Sequence, residues 1–219
     1  MRKEMMGSDM NLKYRMLLMV LAWCMGTAPL QAADTPAPDA LAKSVTDEVL
    51  AIVRADKEIQ SGNKQKVLQL VESKIAPHFN FVRMTQLAMG RNWRQANAEQ
   101  QKLLVDQFRT LLVRTYTTAF TQYRNQTVEY RAPRMAAGDT DVVVHSLIIQ
   151  PGRQPVAVDY SMEKSDGGWK VYNVKIESVS LVENYRNTFN AEIQRSGVDG
   201  LIKSLSERNR VLAQQVQGQ

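Results

Sequence analysis

Residues able to do chemistry are sparse in this 219-residue chain, which holds one cysteine, Cys24, and two histidines, His78 and His145. A lone thiol forms no intrachain disulfide, and two distant histidines without a cysteine partner make no zinc or iron–sulfur site. His78 follows Pro77, and His145 sits between Val143 and Leu147; neither has a carboxylate at local spacing to orient it as a general base. Asp139 and Asp141 flank Thr140 in a turn, but the further acidic ligands and the glycine of a calcium loop are missing. Asp159 reads as outward-facing, because a one-residue slip that turned it inward would expose Val156, Val158, Tyr160 and Met162. No phosphate-binding lysine loop, dinucleotide glycine fingerprint or nucleophile elbow is present. A small enzyme, an isomerase or a hydrolase, would need a polar dyad inside a pocket, and none is visible. What the chain carries in quantity is apolar wall.

The elements that position this wall follow from hydrophobic period. Leu41, Val45, Val49, Ile52, Val53 and Ile59 keep a helical spacing over 40–60, ended by Ser61-Gly62-Asn63. A second helix covers 64–75 up to Pro77, and a short apolar segment runs from Phe79 through Met84 to Trp93. The longest helix covers 98–123, with Leu104, Phe108, Leu111, Leu112, Tyr116 and Phe120 on a face broad enough to cover a sheet. The period then changes to two. Strands are predicted over 127–131, 141–150, 154–163 and 169–179, joined by turns at Gly138-Asp139-Thr140, Pro151-Gly152-Arg153 and Asp166-Gly167-Gly168. The segment 141–150 is apolar on both faces, with Val143, His145, Leu147 and Ile149 assigned to one of them. From Leu181 the helical period returns, breaks at Ser196-Gly197, resumes to Leu212 and closes in a polar tail, 213–219. Helices, an antiparallel meander, then helices is an α+β order. The sheet residues Val128, Tyr130, Val143, Leu147, Val158, Tyr160, Met162, Val174 and Ile176 suit either a packed core or the wall of a ligand cavity.

Residues 1–32 read as a cleaved signal peptide: a short basic segment at Lys13 and Arg15, an uncharged apolar stretch from Met16 to Met25, and Ala32 at the cut. A flexible lead, 33–39, and a single domain, 40–212, follow. No uncharged apolar run reaches the ~18 residues of a membrane span. Cys24 leaves with the signal, so the exported protein is expected to carry no cysteine, which suits the periplasm. The net charge of +6 includes four basic and two acidic residues of the signal. With no block of five like charges, and outside the cytoplasm, anionic lipid or an acidic protein is a better partner than nucleic acid.

The run from Trp169-Lys170-Val171-Tyr172-Asn173-Val174 through Leu181-Val182-Glu183-Asn184-Tyr185-Arg186 to Phe189 resembles the C-terminal signature of the MlaC, or toluene-tolerance, family. Gly197-Val198-Asp199-Gly200-Leu201, Pro77-His78-Phe79-Asn80-Phe81 with Met84, and Gln107-Phe108 through Tyr116 resemble further family stretches. The chain departs from the family pattern at Asn80 and Asn173, where the resemblance implies Asp. The resemblance implies a curved antiparallel sheet wrapped by helices around a deep apolar pocket, with volume at or beyond the upper end of the usual ~300–1,000 Å³. It implies no cofactor and no catalysis, with phospholipid bound as cargo. It further implies shuttling between an outer-membrane lipoprotein–porin complex and an inner-membrane ABC-transporter complex, which maintains outer-membrane lipid asymmetry. On this chain the pocket is assigned to Met84, Phe108, Leu111, Leu112, Tyr116, Val143, Leu147, Val158, Tyr160, Val174, Ile176, Val179 and Tyr185. Arg124, Arg131 and Lys175 are the cations named for the headgroup phosphate.

Overall fold

The computed structural model describes residues 35–121, 126–136 and 138–217. Residues 1–32, expected to be a signal peptide, and Arg124 lie outside the described residues. Pro38 opens α1 (Pro38–Ala55), its fixed φ suiting the first helical position, and it is buried. The helix stops earlier than its apolar spacing predicts. The Asp56 carboxylate accepts from the backbone N–H groups of Glu58 at 2.8 Å and Ile59 at 3.2 Å, which starts a separate turn, α2 (Lys57–Gln60). Helix α3 (Lys64–Leu70) widens into a π-helical turn at Val71–Ile75 and a 3-10 turn at Ala76–His78. Pro77 has no N–H to bond back along the helix, so the regular ladder cannot run through it. Helix α4 (Phe81–Met89) leads through a 3-10 segment, Gly90–Gln95, to α5 (Ala98–Thr121). Asn97 and Gln100 cap α5 reciprocally, each side-chain oxygen accepting the other's backbone N–H, at 2.9 and 3.0 Å.

Five antiparallel strands form one sheet in chain order: β1 (Thr127–Arg131), β2 (Asp141–Ile149), β3 (Val156–Ser165), β4 (Gly168–Ile176) and β5 (Val179–Ser180). The register puts Tyr130 opposite Ser146, Ser146 opposite Val158, Val158 opposite Ile176, and Tyr160 opposite both Val144 and Val174. These residues share the inner face. A bulge between Ser161 and Met162 lets Tyr172 escape the alternation and brings Val171 opposite Met162. Val143 and Leu147 pair with Ser161 and Ala157, so they stand on the other face from the one expected of them, and Val143 is 40% exposed. The reason is physical. A strand apolar on both faces carries no phase of its own, and here the clean alternation of its neighbour β3 supplies the phase.

The last helix, α6 (Leu181–Gln217), is two helices joined at Gly197, whose φ of 72° and ψ of −176° only glycine adopts cheaply. Its second half runs into the stretch expected as a tail. Helix α5 packs on α6, α3 and α4. Its broad apolar face was expected on the sheet; most of it is buried against other helices instead. Leu104, Phe108, Leu111 and Leu112 join Val182, Phe189, Ile193, Leu201 and Leu205 in the largest core cluster.

Candidate functional site

Between α1, the segment from Val71 to Met84, one flank of α5 and the inner sheet face lies a cavity of about 580 Å³. That is mid-range for a ligand site of ~300–1,000 Å³ and smaller than the resemblance implied. The residues that would have enlarged it are spent on packing. Phe108 stacks edge-on against Tyr185 at 4.9 Å and Phe189 at 5.0 Å between centroids, and Leu111 is fully buried beside them. Phe108, Leu111 and Tyr185 therefore sit in the helical core, and Val143 and Leu147 lie on the far side of the sheet. Met84, Leu112, Tyr116, Val158, Tyr160, Val174, Ile176 and Val179 line the cavity. The exposed members Tyr116, Ile176 and Val179 mark its mouth.

One wall was missed altogether. Leu41, Ala42, Val45, Thr46 and Val49 of α1 face the cavity across from the sheet. Their helical stripe is visible in the sequence, but a stripe does not say what it faces. The clasp that holds the opposite wall was also out of reach of sequence reading. Asn80 caps α4 by accepting from Arg83 N–H at 3.0 Å, while its amide donates to Glu163 Oε1 at 2.6 Å. Arg83 Nε approaches Glu163 Oε2 at 3.1 Å, and its guanidinium lies 4.6 Å over the Tyr172 ring. This ties α4 to β3 and β4 and sets Phe79, Phe81 and Met84 against the cavity. Asn173 is structural too: its Oδ1 accepts from Ser180 Oγ at 3.1 Å and Val182 N–H at 3.3 Å, at the start of α6.

The titratable groups that line the cavity are neutral near pH 7. Burial pushes the Tyr160 hydroxyl well above the ordinary tyrosine range, and does the same less strongly to Tyr130 and Tyr116. Burial, helped by the Lys170 charge, holds His78 below the usual histidine value. An uncharged, largely aliphatic and aromatic wall receives hydrocarbon without desolvating any ion. Among the described residues, no cluster of three or more His, Cys, Asp or Glu could hold a metal, and no helix is long and apolar enough to cross a membrane. Arg131 and Lys175 do not serve the cavity, since they pair across the outer face with His145 and Asp159.

His145 Nδ1 lies 2.7 Å from Asp159 Oδ1, a carboxylate–imidazole pair that resembles catalytic furniture. Sequence spacing hides it, because the partners meet across two strands. It stands on the sheet face away from the cavity, and His145 is more than half exposed. His145→Gln is therefore expected to change stability by less than ~1 kcal/mol and to leave co-purified lipid at the wild-type level, as read by thermal melting and lipid extraction. Loss of lipid in a fully folded variant would move the site to this face.

Comparison with known proteins agrees with the geometry. The family model described as "MlaC protein" matches residues 43–207. A phospholipid-binding protein from Ralstonia solanacearum, solved in complex with a phospholipid, is 49% identical and superposes with a TM-score of 0.75, covering 81% of this chain and 99% of that one. The Haemophilus influenzae intermembrane phospholipid transport system binding protein MlaC is 21% identical over 173 residues, 78% of this chain and 81% of its own. The toluene tolerance protein ttg2D of Pseudomonas putida is 25% identical over 186 residues, 84% of each chain. With a family match across most of its length and a half-identical relative of the same architecture, the chain belongs to the MlaC family.

Proposed function

We propose that this protein is a periplasmic phospholipid carrier, not an enzyme. It takes acyl chains into the cavity and passes the lipid between an outer-membrane lipoprotein–porin complex and an inner-membrane ABC-transporter complex, which maintains outer-membrane asymmetry. The observation that carries the reading is the charge-free apolar cavity with a mouth on the surface. A relative of the same family and fold, 49% identical, was solved with a phospholipid bound.

The physical need is large. Each methylene moved out of water is worth ~0.8 kcal/mol, so two long chains, with on the order of thirty methylenes, resist bare passage by roughly 20 kcal/mol. A carrier replaces the bilayer's surroundings with Val, Leu, Ile, Phe, Tyr and Met side chains. The headgroup stays in water at the mouth, because burying its charge would cost more than it returned. There Tyr116 and Asn184 line the rim, and Arg208 lies within electrostatic reach of the Tyr185 hydroxyl. These groups replace Arg131 and Lys175 as the reading of the headgroup contact. A carrier lowers the barrier and sets no direction; direction comes from its partners.

Labelled phospholipid in donor vesicles, mixed with unlabelled acceptors, is expected to transfer at least about tenfold faster with the protein than without it. A rate equal to spontaneous exchange overturns the carrier reading.

A further inference from the structure

Three large apolar side chains stand in water at the cavity mouth. Val179 is 65% exposed, more than any other large hydrophobic side chain among the described residues, and Ile176 and Tyr116 are 44% and 39% exposed. All three line the cavity. The backbone holds two of them out under strain. Ile176 and Val179 are cross-strand partners on either side of a two-residue turn, so their side chains stand next to each other on one face. The turn residues, Glu177 and Ser178, have φ of 47° and 71°, in the left-handed region. Asparagine and glycine adopt such a hairpin turn easily; glutamate and serine do not. The Glu177 N–H donates to the Ala157 carbonyl at 2.9 Å, which ties the turn to the start of β3. A strained, tethered turn that keeps two β-branched apolar side chains in water gains nothing for a molecule alone in solution.

What covers these side chains follows from their arrangement. A protein–protein interface has an apolar centre and a polar rim. Here the order is inverted: the apolar residues are the rim, and the centre is the opening of the cavity. Such a rim offers a partner protein little polar register, but it suits a fluid apolar surface. Charge points the same way. Lys175 and Glu177, both exposed, bracket Ile176 with opposite signs, so this edge of the mouth is not drawn to an anionic surface in particular. Tyr116, apolar in its ring and polar at its tip, fits the boundary between acyl chains and headgroups. An acyl chain that leaves a bilayer must reach the cavity without crossing water, and apolar rim residues seated among the chains close that gap.

We propose that Tyr116, Ile176 and Val179 form a lip that dips into the apolar layer of a lipid bilayer while lipid passes through the mouth. The proposal rests on the carrier reading. Three side chains make a shallow contact, so the protein lets go of the surface after each exchange, and the contact is insensitive to salt because its charges cancel.

The probe is vesicles of palmitoyl-oleoyl phosphatidylcholine. A bimane on Val179→Cys, in a Cys24→Ser background, is expected to shift to the blue when vesicles are added and to be quenched by brominated acyl chains. The same dye on Val143→Cys, exposed but on the far face of the sheet, is expected to do neither. Val179→Asp puts a carboxylate on the lip and should slow lipid transfer between these vesicles at least about tenfold, whereas Val143→Asp should leave it within about twofold of wild type. Both positions are exposed, so both variants should fold, as circular dichroism checks. A Val179 label that stays in water while the wild type transfers lipid overturns the lip and leaves the carrier intact. Transfer by Val179→Asp at the wild-type rate overturns it too. So does a label that answers only to added purified inner-membrane ABC-transporter complex, which would make the rim a protein contact. Wild-type transfer no faster than spontaneous exchange fails the carrier reading itself.

Discussion

Tryptophan in place of Ala42 is expected to strip the protein of phospholipid while leaving it folded. Ala42 sits on α1, lines the cavity and is only partly buried, so an indole there has a void to enter. The cost of overpacking, about 1–3 kcal/mol in a filled core, applies weakly where space is already open. The loss of binding is the larger effect. An indole that denies a chain about four methylenes of contact removes about 3 kcal/mol, roughly a hundredfold in affinity. Lipid carried through purification should fall from near one equivalent to below about a tenth, with melting shifted by only a few degrees. Ile176→Trp at the mouth should act in the same direction by obstructing entry. If Ala42→Trp unfolds the protein and Ile176→Trp leaves the lipid content unchanged, the space is packed core and not a binding cavity.

Phe108→Ala should behave oppositely. Phe108 has no exposed surface and touches Tyr185 and Phe189 edge-on. Truncating a buried phenylalanine costs about 3–5 kcal/mol, a large share of the 5–15 kcal/mol that holds a domain together. At about 2–4 °C per kcal/mol for a chain this long, melting should fall by about 10 °C. Lipid per folded molecule should not change, because the ring faces the helical core. A Phe108→Ala variant that melts normally and arrives without lipid would return this residue to the cavity wall, where the sequence first placed it.

The contrast between Ala42 and Phe108 shows where sequence reading stops. The α+β order was legible, because the period switches from helical to two at Thr127 and back at Leu181, and Gly197 breaks the last helix as expected. The β3 and β4 contributions, Val158, Tyr160, Val174 and Ile176, were legible because β3 alternates cleanly and β4 is registered against it. On β2 the apolar residues fill both faces, so Val143 and Leu147 were put on the wall and stand behind it. On α5 an apolar surface wider than one neighbour needs does not declare which part meets helix and which meets void. Phe108 and Leu111 go to α6, while Leu112 and Tyr116 reach the cavity. Ala42 and Thr46 were passed over because alanine and threonine carry little hydrophobic signal, and only tertiary packing brings α1 over the sheet. His145 with Asp159, and Thr46 with Tyr130, are pairs made across chain separations that no local spacing encodes.

The carrier reading depends on this volume being accessible to lipid. The most direct measurement is organic extraction of the purified protein, followed by mass spectrometry with the protein amount determined in parallel. The account predicts about one equivalent of phospholipid per chain, absent from the Ala42→Trp variant prepared alongside. Folded wild-type protein that yields none, and takes none up when incubated with phospholipid vesicles, would contradict it.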